Sequence, residues 1–195
     1  YLFILDINFL VAHTPGANIN EFASIDFNIS NKILIISSII FFHLIPFLIN
    51  KNFLKEFIKF IKKNFFIIFI FFLTNLYFFD YVTAYTGGGF FFQLSNFFFN
   101  NNLIFYFLSF LSLLVIIYLF IFNLSNIFLY SLLILSNIQN TIYHKYYDPL
   151  VMIIFFLLTF HFLPTKFLSN KKNLIILYLF YSFFIFARTF KYLVF

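Results

Sequence analysis

The side chains best suited to chemistry lie in one stretch, Asn137–Pro149, which reads Asn-Ile-Gln-Asn-Thr-Ile-Tyr-His-Lys-Tyr-Tyr-Asp-Pro. His144 and Lys145 can hold a phosphate, Tyr146 and Tyr147 can stack on a sugar ring, and Asp148 adds a carboxylate. The competing reading is a wet interfacial loop in which Lys145 snorkels to the headgroups. Leu124–Ser136 before the stretch and Leu150–Leu163 after it carry no formal charge. Ionisable groups are expensive in hydrocarbon, so this cluster must reach water or face a protected cavity.

Two further segments are polar. Ala12–Lys32 holds His13, Pro15, Gly16, Glu21 and Asp26, with turn chemistry at Thr-Pro-Gly. Asp80–Asn102 holds Asp80, Tyr81, Tyr85, Gly87, Gly88, Gly89, Gln93 and a run of Asn, with no Lys or Arg. Together the three segments offer carboxylates, two His, a Lys, a Gln and the backbone amides of Gly87–Gly89, a set able to bind a phosphorylated or polyhydroxylated ligand. The glycines are not followed by Lys-Ser/Thr, so they are no P-loop; as a flexible turn they need no ligand. No Ser/His/Asp order and no His-Glu-x-x-His motif is present, and no metal site is expected. Asn28-Ile29-Ser30 and Asn123-Leu124-Ser125 match the glycosylation sequon, as chance allows in an Asn-rich chain. His43 is read as a packed, hydrogen-bonded group in preference to a proton relay.

The elements that carry these segments are set by composition. Of 195 residues, 64% are hydrophobic and 9% charged, with mean hydropathy +1.02. A soluble domain carries about 25% charged residues, so an all-α, polytopic bundle of about six or seven membrane segments is expected, in one membrane domain. The spans fall near Tyr1–Val11, Ile33–Ile49, Phe65–Phe79, Leu103–Phe122, Leu124–Ser136, Leu150–Leu163 and Leu174–Ala187. Several are short, and Leu124–Ser136 is the best candidate for a re-entrant one. Phe is 40 of the residues, which AT-rich codon usage explains, so single Phe positions say little. Cysteine is absent, which removes disulfides, thiolate metal sites and cysteine nucleophiles. The chain starts at Tyr1, and it is expected to be the C-terminal part of a longer one.

Asn50–Asn64 sets Lys51, Lys55, Lys59, Lys62 and Lys63 against only Glu56, with Phe53, Leu54, Phe57, Ile58 and Ile61 at helical spacing on the other side. It reads as a basic amphipathic helix lying in the interface as a cytoplasmic connector, attracted to anionic headgroups. Pro164–Asn173 is a second basic loop. Alternation of spans puts both on one side, and they hold eight of the twelve basic residues, as the positive-inside rule requires. Glu21, Asp26, Asp80 and Asp148 then share the extracytoplasmic face; Arg188 and Lys191 are the minor exception.

The order of features resembles the C-terminal half of GT-C-type glycosyltransferases. It is most similar to the family of the terminal alpha-1,2-glucosyltransferase of lipid-linked oligosaccharide assembly. The matching stretches are Ala12–Lys32, Asn50–Asn64, Asp80–Asn96 and Gln139–Pro149, together with the closing Phe186-Ala-Arg-Thr-Phe-Lys-Tyr. In place of the family's basic residues after Asp80, this chain has Gly87–Gly89. The resemblance implies transfer of a sugar from a polyprenyl- or dolichyl-phosphate carrier on the extracytoplasmic side. It implies a catalytic acid in a loop that this sequence lacks, so no catalytic residue is assigned. It also implies His144 and Lys145 toward phosphate, and Asp80 and Gln93 toward sugar hydroxyls. The expected partners are the lipid bilayer and a lipid-linked sugar, with no nucleic acid. The expected site is the bacterial inner membrane, the alternative being a reticular or organelle membrane. The competing function is a non-enzymatic membrane protein: a carrier or flippase half, or an organelle-encoded respiratory subunit.

Overall fold

The computed structural model describes residues 28–48, 51–81, 87–120, 124–136, 142 and 170–194. Among these the chain is all-α. The helices are α1 (Ile29–Leu44, continued by a 3-10 turn Ile45–Leu48), α2 (Lys51–Tyr77), α3 (Gly89–Phe99), α4 (Leu103–Phe120), α5 (Leu124–Ser136) and α6 (Lys171–Val194).

Helix α1 is the centre. Every residue from Leu34 to Leu44 is buried, three full turns with no outward face. It packs most extensively on α4 and also on α2, α3 and α5, while its 3-10 extension meets α6. Its Ile-rich interior has only moderate intrinsic helix preference, so packing holds it helical. Ser37, Ser38, Ser109 and Ser112 are all fully buried; small side chains let neighbouring helix backbones approach closely. Each finds a partner. The Ser37 hydroxyl meets Tyr130 Oη of α5 at 2.5 Å, and Ser38 Oγ donates to the Ile35 carbonyl at 2.7 Å. Ser109 and Ser112 donate to the Tyr106 and Ser109 carbonyls. His43, near the far end of α1, is buried with Nδ1 3.0 Å from Tyr181 Oη of α6; it is a packed, hydrogen-bonded histidine.

Two helices among the described residues are long and apolar enough to cross a membrane, Ile29–Leu48 and Leu103–Phe120. They correspond to the expected spans Ile33–Ile49 and Leu103–Phe122. The first starts four residues early because Asn28 caps it: Asn28 Oδ1 accepts from the Ser30 and Asn31 amides at 3.0 and 3.2 Å. The expected connector Asn50–Asn64 and the expected span Phe65–Phe79 are one helix of 27 residues, about 40 Å long. The lysines are therefore the first half of a helix that continues into the apolar part, which corrects the picture of a separate element lying in the interface. The expected span Leu124–Ser136 is a helix of 13 residues with those bounds, and Leu174–Ala187 falls within α6. The expected spans Tyr1–Val11 and Leu150–Leu163 lie outside the described residues.

The element that turns back partway is α3. Gly89 lies against Ile39, with a side-chain carbon of Ile39 2.8 Å from where a Cβ would stand. Ile39 is about 15 Å along α1. From there α3 rises through 11 residues, about 16 Å, back toward the level of Asp80. It ends at Asn100, in the left-handed region at φ 50°, and the Asn run turns the chain into α4. There Ser95 Oγ donates to the Asn101 carbonyl at 2.7 Å and accepts from the Phe105 amide at 3.2 Å. Asn96 Nδ2 donates to Asn102 Oδ1 at 3.0 Å.

Phe92 is fully buried and lies edge-on to Tyr81 and Phe105 at 5.2 Å each. Phe92→Ala should lower unfolding stability in detergent micelles by about 3–5 kcal/mol. Phe66→Ala, on a side chain that is 73% exposed, should change it by no more than about 0.5 kcal/mol.

Candidate functional site

Parts of the polar segments meet alongside α1, from Asp80 at its first turn down to Gly87–Gly89 near the level of Ile39. Asp80 Oδ1 accepts from Asn28 Nδ2 and from Asn31 Nδ2, both at 2.7 Å. The Asp80 amide returns a bond to Asn31 Oδ1 at 3.1 Å, and Asn28 Nδ2 also donates to the Phe78 carbonyl at 2.8 Å. The end of α2 is thus tied to the start of α1. Asn28 is committed to this knot, so the Asn28-Ile29-Ser30 match is a cap and a tie in the folded chain. Lys32, one residue beyond Asn31, is 5% exposed. It is the fourth residue of α1 and is buried at this end.

Beside the knot, Tyr81 is buried and its Oη accepts from the Ile142 amide at 3.2 Å. The Ile142 carbonyl accepts from the Gly88 amide at 2.8 Å. Gly88 has φ +91°, and a Cβ on Gly87 would stand 2.6 Å from Tyr81 Oη and 2.8 Å from the Ile142 carbonyl oxygen. Only glycine allows this approach. Gln93 Nε2 closes the turn on the Gly87 carbonyl at 2.5 Å. The glycines are therefore a buried junction rather than a flexible turn, and at least the Gly88 amide is taken by Ile142.

The residues assigned by sequence divide accordingly. Asp80 is exposed but bonded to Asn28 and Asn31; Gln93 is half-buried and bonded to the glycine backbone. Both are used in bonds that hold this region together. His144, Lys145, Tyr146 and Asp148 lie outside the described residues, as does His13. From their stretch only Ile142 is described, and it sits at the Gly87–Gly89 junction. So parts of all three polar segments converge, at Asn28–Lys32, at Asp80 to Gln93 and at Ile142. Asn28, Asn31 and Lys32 were missed. The signal for Asn28 was present, since Asn before an apolar run is a cap. Pairing of Asn31 with Asp80 has no local signal. Among the described residues no group of His, Asp and Glu could hold a metal ion.

Two outcomes follow from this geometry. Asp80→Ala leaves two amide groups without their acceptor and should cost roughly 1–2 kcal/mol in detergent unfolding, while Asp80→Asn, which keeps an oxygen there, should cost less. Gly87→Ala should destabilise the chain, and adding Tyr81→Phe should not restore it, because the Ile142 backbone still blocks the Cβ; full recovery in the double variant would contradict the packing described.

No protein-family model, no curated protein and no solved structure matches this chain, so its function is read from its own residues.

Proposed function

We propose that the chain is a membrane-embedded helical module whose Asp80 end handles a polyprenyl-phosphate-linked sugar, as part of a GT-C-type glycosyltransferase. The membrane part is supported by an inverted surface. Outside stand Phe66, Ile67, Phe128, Tyr178 and Phe183, each 66% exposed or more. Inside stand Ser37, Ser38, Asn75, Ser95, Ser109, Ser112 and Asn126, each 5% exposed or less. Water would favour the reverse, whereas lipid asks that polar groups find partners inside the bundle. In this reading α2, α5, α6 and the segments 1–11 and 150–163 add to the two long apolar helices, giving six or seven crossings. The bacterial inner membrane is the proposed location.

The single observation that carries the functional reading is the approach of Ile142, a residue of the polar stretch, to Tyr81 and the glycine junction that follows Asp80. His144 and Lys145 would meet the phosphate, with Tyr146 and Asp148 toward the sugar. The lysines of α2, and Lys171 and Lys172 of α6, lie away from the Asp80 end. Tyr118 near the end of α4 donates to Glu56. Along α6, Tyr181 meets His43 and Phe184 meets Phe90. That helix therefore runs toward the Asp80 end, and Lys171 and Lys172 start at the other. One observation favours the second reading, a non-enzymatic carrier or respiratory subunit: Asp80 and Gln93 are used in structural bonds.

In the full-length protein, His144→Ala and Lys145→Ala should each abolish transfer of labelled sugar from a polyprenyl-phosphate donor while leaving detergent stability unchanged. Unchanged transfer, or no transfer by the parent protein, turns the assignment to the carrier. Tags at Lys55 and His144 should be accessible from opposite sides of sealed vesicles.

A further inference from the structure

We infer that the outward stripe of α2 is a binding surface for the phosphates of anionic phospholipids, and that it draws the headgroup layer of its leaflet inward along the helix. The inference rests on the membrane reading above and not on the transferase one.

Helix α2 turns Ile68, Phe72 and Asn75 into the bundle. At 3.6 residues per turn, the opposite face carries Lys55, Lys59, Lys62 and Lys63, all exposed. The same stripe then continues through Phe66, Ile70, Leu73 and Tyr77, exposed by 73, 48, 45 and 83%. The change from ammonium to hydrocarbon takes place within one turn, between Lys63 and Phe66. From Phe66 to Tyr77 the apolar stripe measures about 17 Å, little more than half of a hydrocarbon core of about 30 Å.

The neighbouring helix sets the level of that change. Phe65 and Phe69 both pack on Phe110, with ring centroids 5.8 Å apart in each case, and Phe60 packs on Tyr118 at 5.2 Å. Lys62 and Lys63 are therefore level with the part of α4 between Phe110 and Tyr118. That helix carries no charge from Leu103 to Phe120 and is long enough to cross. A flat bilayer spanned by α4 would leave these two ammonium groups within hydrocarbon, facing outward. Snorkelling and local thinning with entry of headgroups and water relieve that cost. Glu56, the one acid in this half of α2, accepts from Tyr118. Leu54 and Ile58 stand exposed beside the lysines, at 44 and 52%. Cations flanked by exposed apolar side chains fit a phosphate that carries acyl chains, and not a free anion.

These 195 residues hold no cysteine, so single cysteines at Ile58, Phe66 and Ile70 can be spin-labelled in this chain. Vesicles of phosphatidylglycerol with phosphatidylcholine are compared with phosphatidylcholine alone, reading label depth from oxygen and nickel-chelate access. Native mass spectrometry of the detergent-solubilised protein reads lipid affinity. We expect the Phe66 label at headgroup depth and the Ile70 label in hydrocarbon. Lys59→Gln, Lys62→Gln and Lys63→Gln should weaken phosphatidylglycerol binding by about fivefold for each lysine removed, and the triple variant should move the Phe66 label deeper. The proposal is overturned by equal affinity for the two lipids, by complete competition from inorganic phosphate, or by a Phe66 label at mid-hydrocarbon depth with the lysines intact. Shielding of the Ile58 label by a co-purifying acidic protein overturns it too, in favour of a protein partner. Water access at Ile70 equal to that at Ile58 would instead remove the membrane reading on which the proposal rests.

Discussion

A helix enclosed on every side has no solvent for its polar groups, and α1 is such a helix. Its hydroxyls and its histidine must be answered by neighbours, and they are: by Tyr130 from α5, by the Ile35 carbonyl, by Tyr181 from α6. The same demand falls on its first turn, whose amides have no partner within the helix. Asn28 supplies acceptors for two of them and in the same side chain reaches the end of α2. The cap of α1 is thus also the clasp that closes the α1–α2 pair. Because Asp80 accepts from both Asn28 and Asn31, the level of α2 against α1 is fixed at one end by hydrogen bonds, and the rest of α2 follows by ring packing on α4.

That fixed level has consequences at both ends of the bundle. At one end it holds Tyr81 where its hydroxyl can meet Ile142. At the other it leaves the lysines of α2 beside an uncharged stretch of α4. Had the basic and apolar halves of 51–77 been separate elements, the lysines could have turned aside into the interface. One continuous helix removes that freedom. The strength of the outward charge stripe is a result of helix continuity, and continuity has a simple local cause: no Gly or Pro interrupts Lys51–Tyr77.

Much of the architecture was legible in the residues. Composition gave helices, and apolar runs located α1, α4, α5 and the body of α6 to within a few residues. The sequon match at Asn28, read as chance, is a helix cap, and the Asn run at Asn96–Asn102 makes a helix corner. Phe92 illustrates a different limit. Among so many phenylalanines nothing in its flanking residues separates it from Phe66, yet one is enclosed by Tyr81 and Phe105 and the other faces outward. The meaning of Gly87–Gly89 was hidden for a similar reason: the partner that makes glycine necessary, Ile142, is distant in sequence. Local spacing records which residues share a face and carries little about which faces meet.

Non-helical backbone deep in a bundle needs internal partners, and the chain around Gly87 shows how few suffice. The Gly88 amide and the Ile142 carbonyl answer each other, the Ile142 amide goes to Tyr81, and the Gly87 carbonyl goes to Gln93. Four groups are satisfied by one tyrosine, one glutamine and one residue of a distant segment. The alternative for α3, a full crossing, would remove the need for any of them. Because the chain instead stops helical structure against Ile39, the Gly88 amide is free of the helix ladder and meets the Ile142 carbonyl.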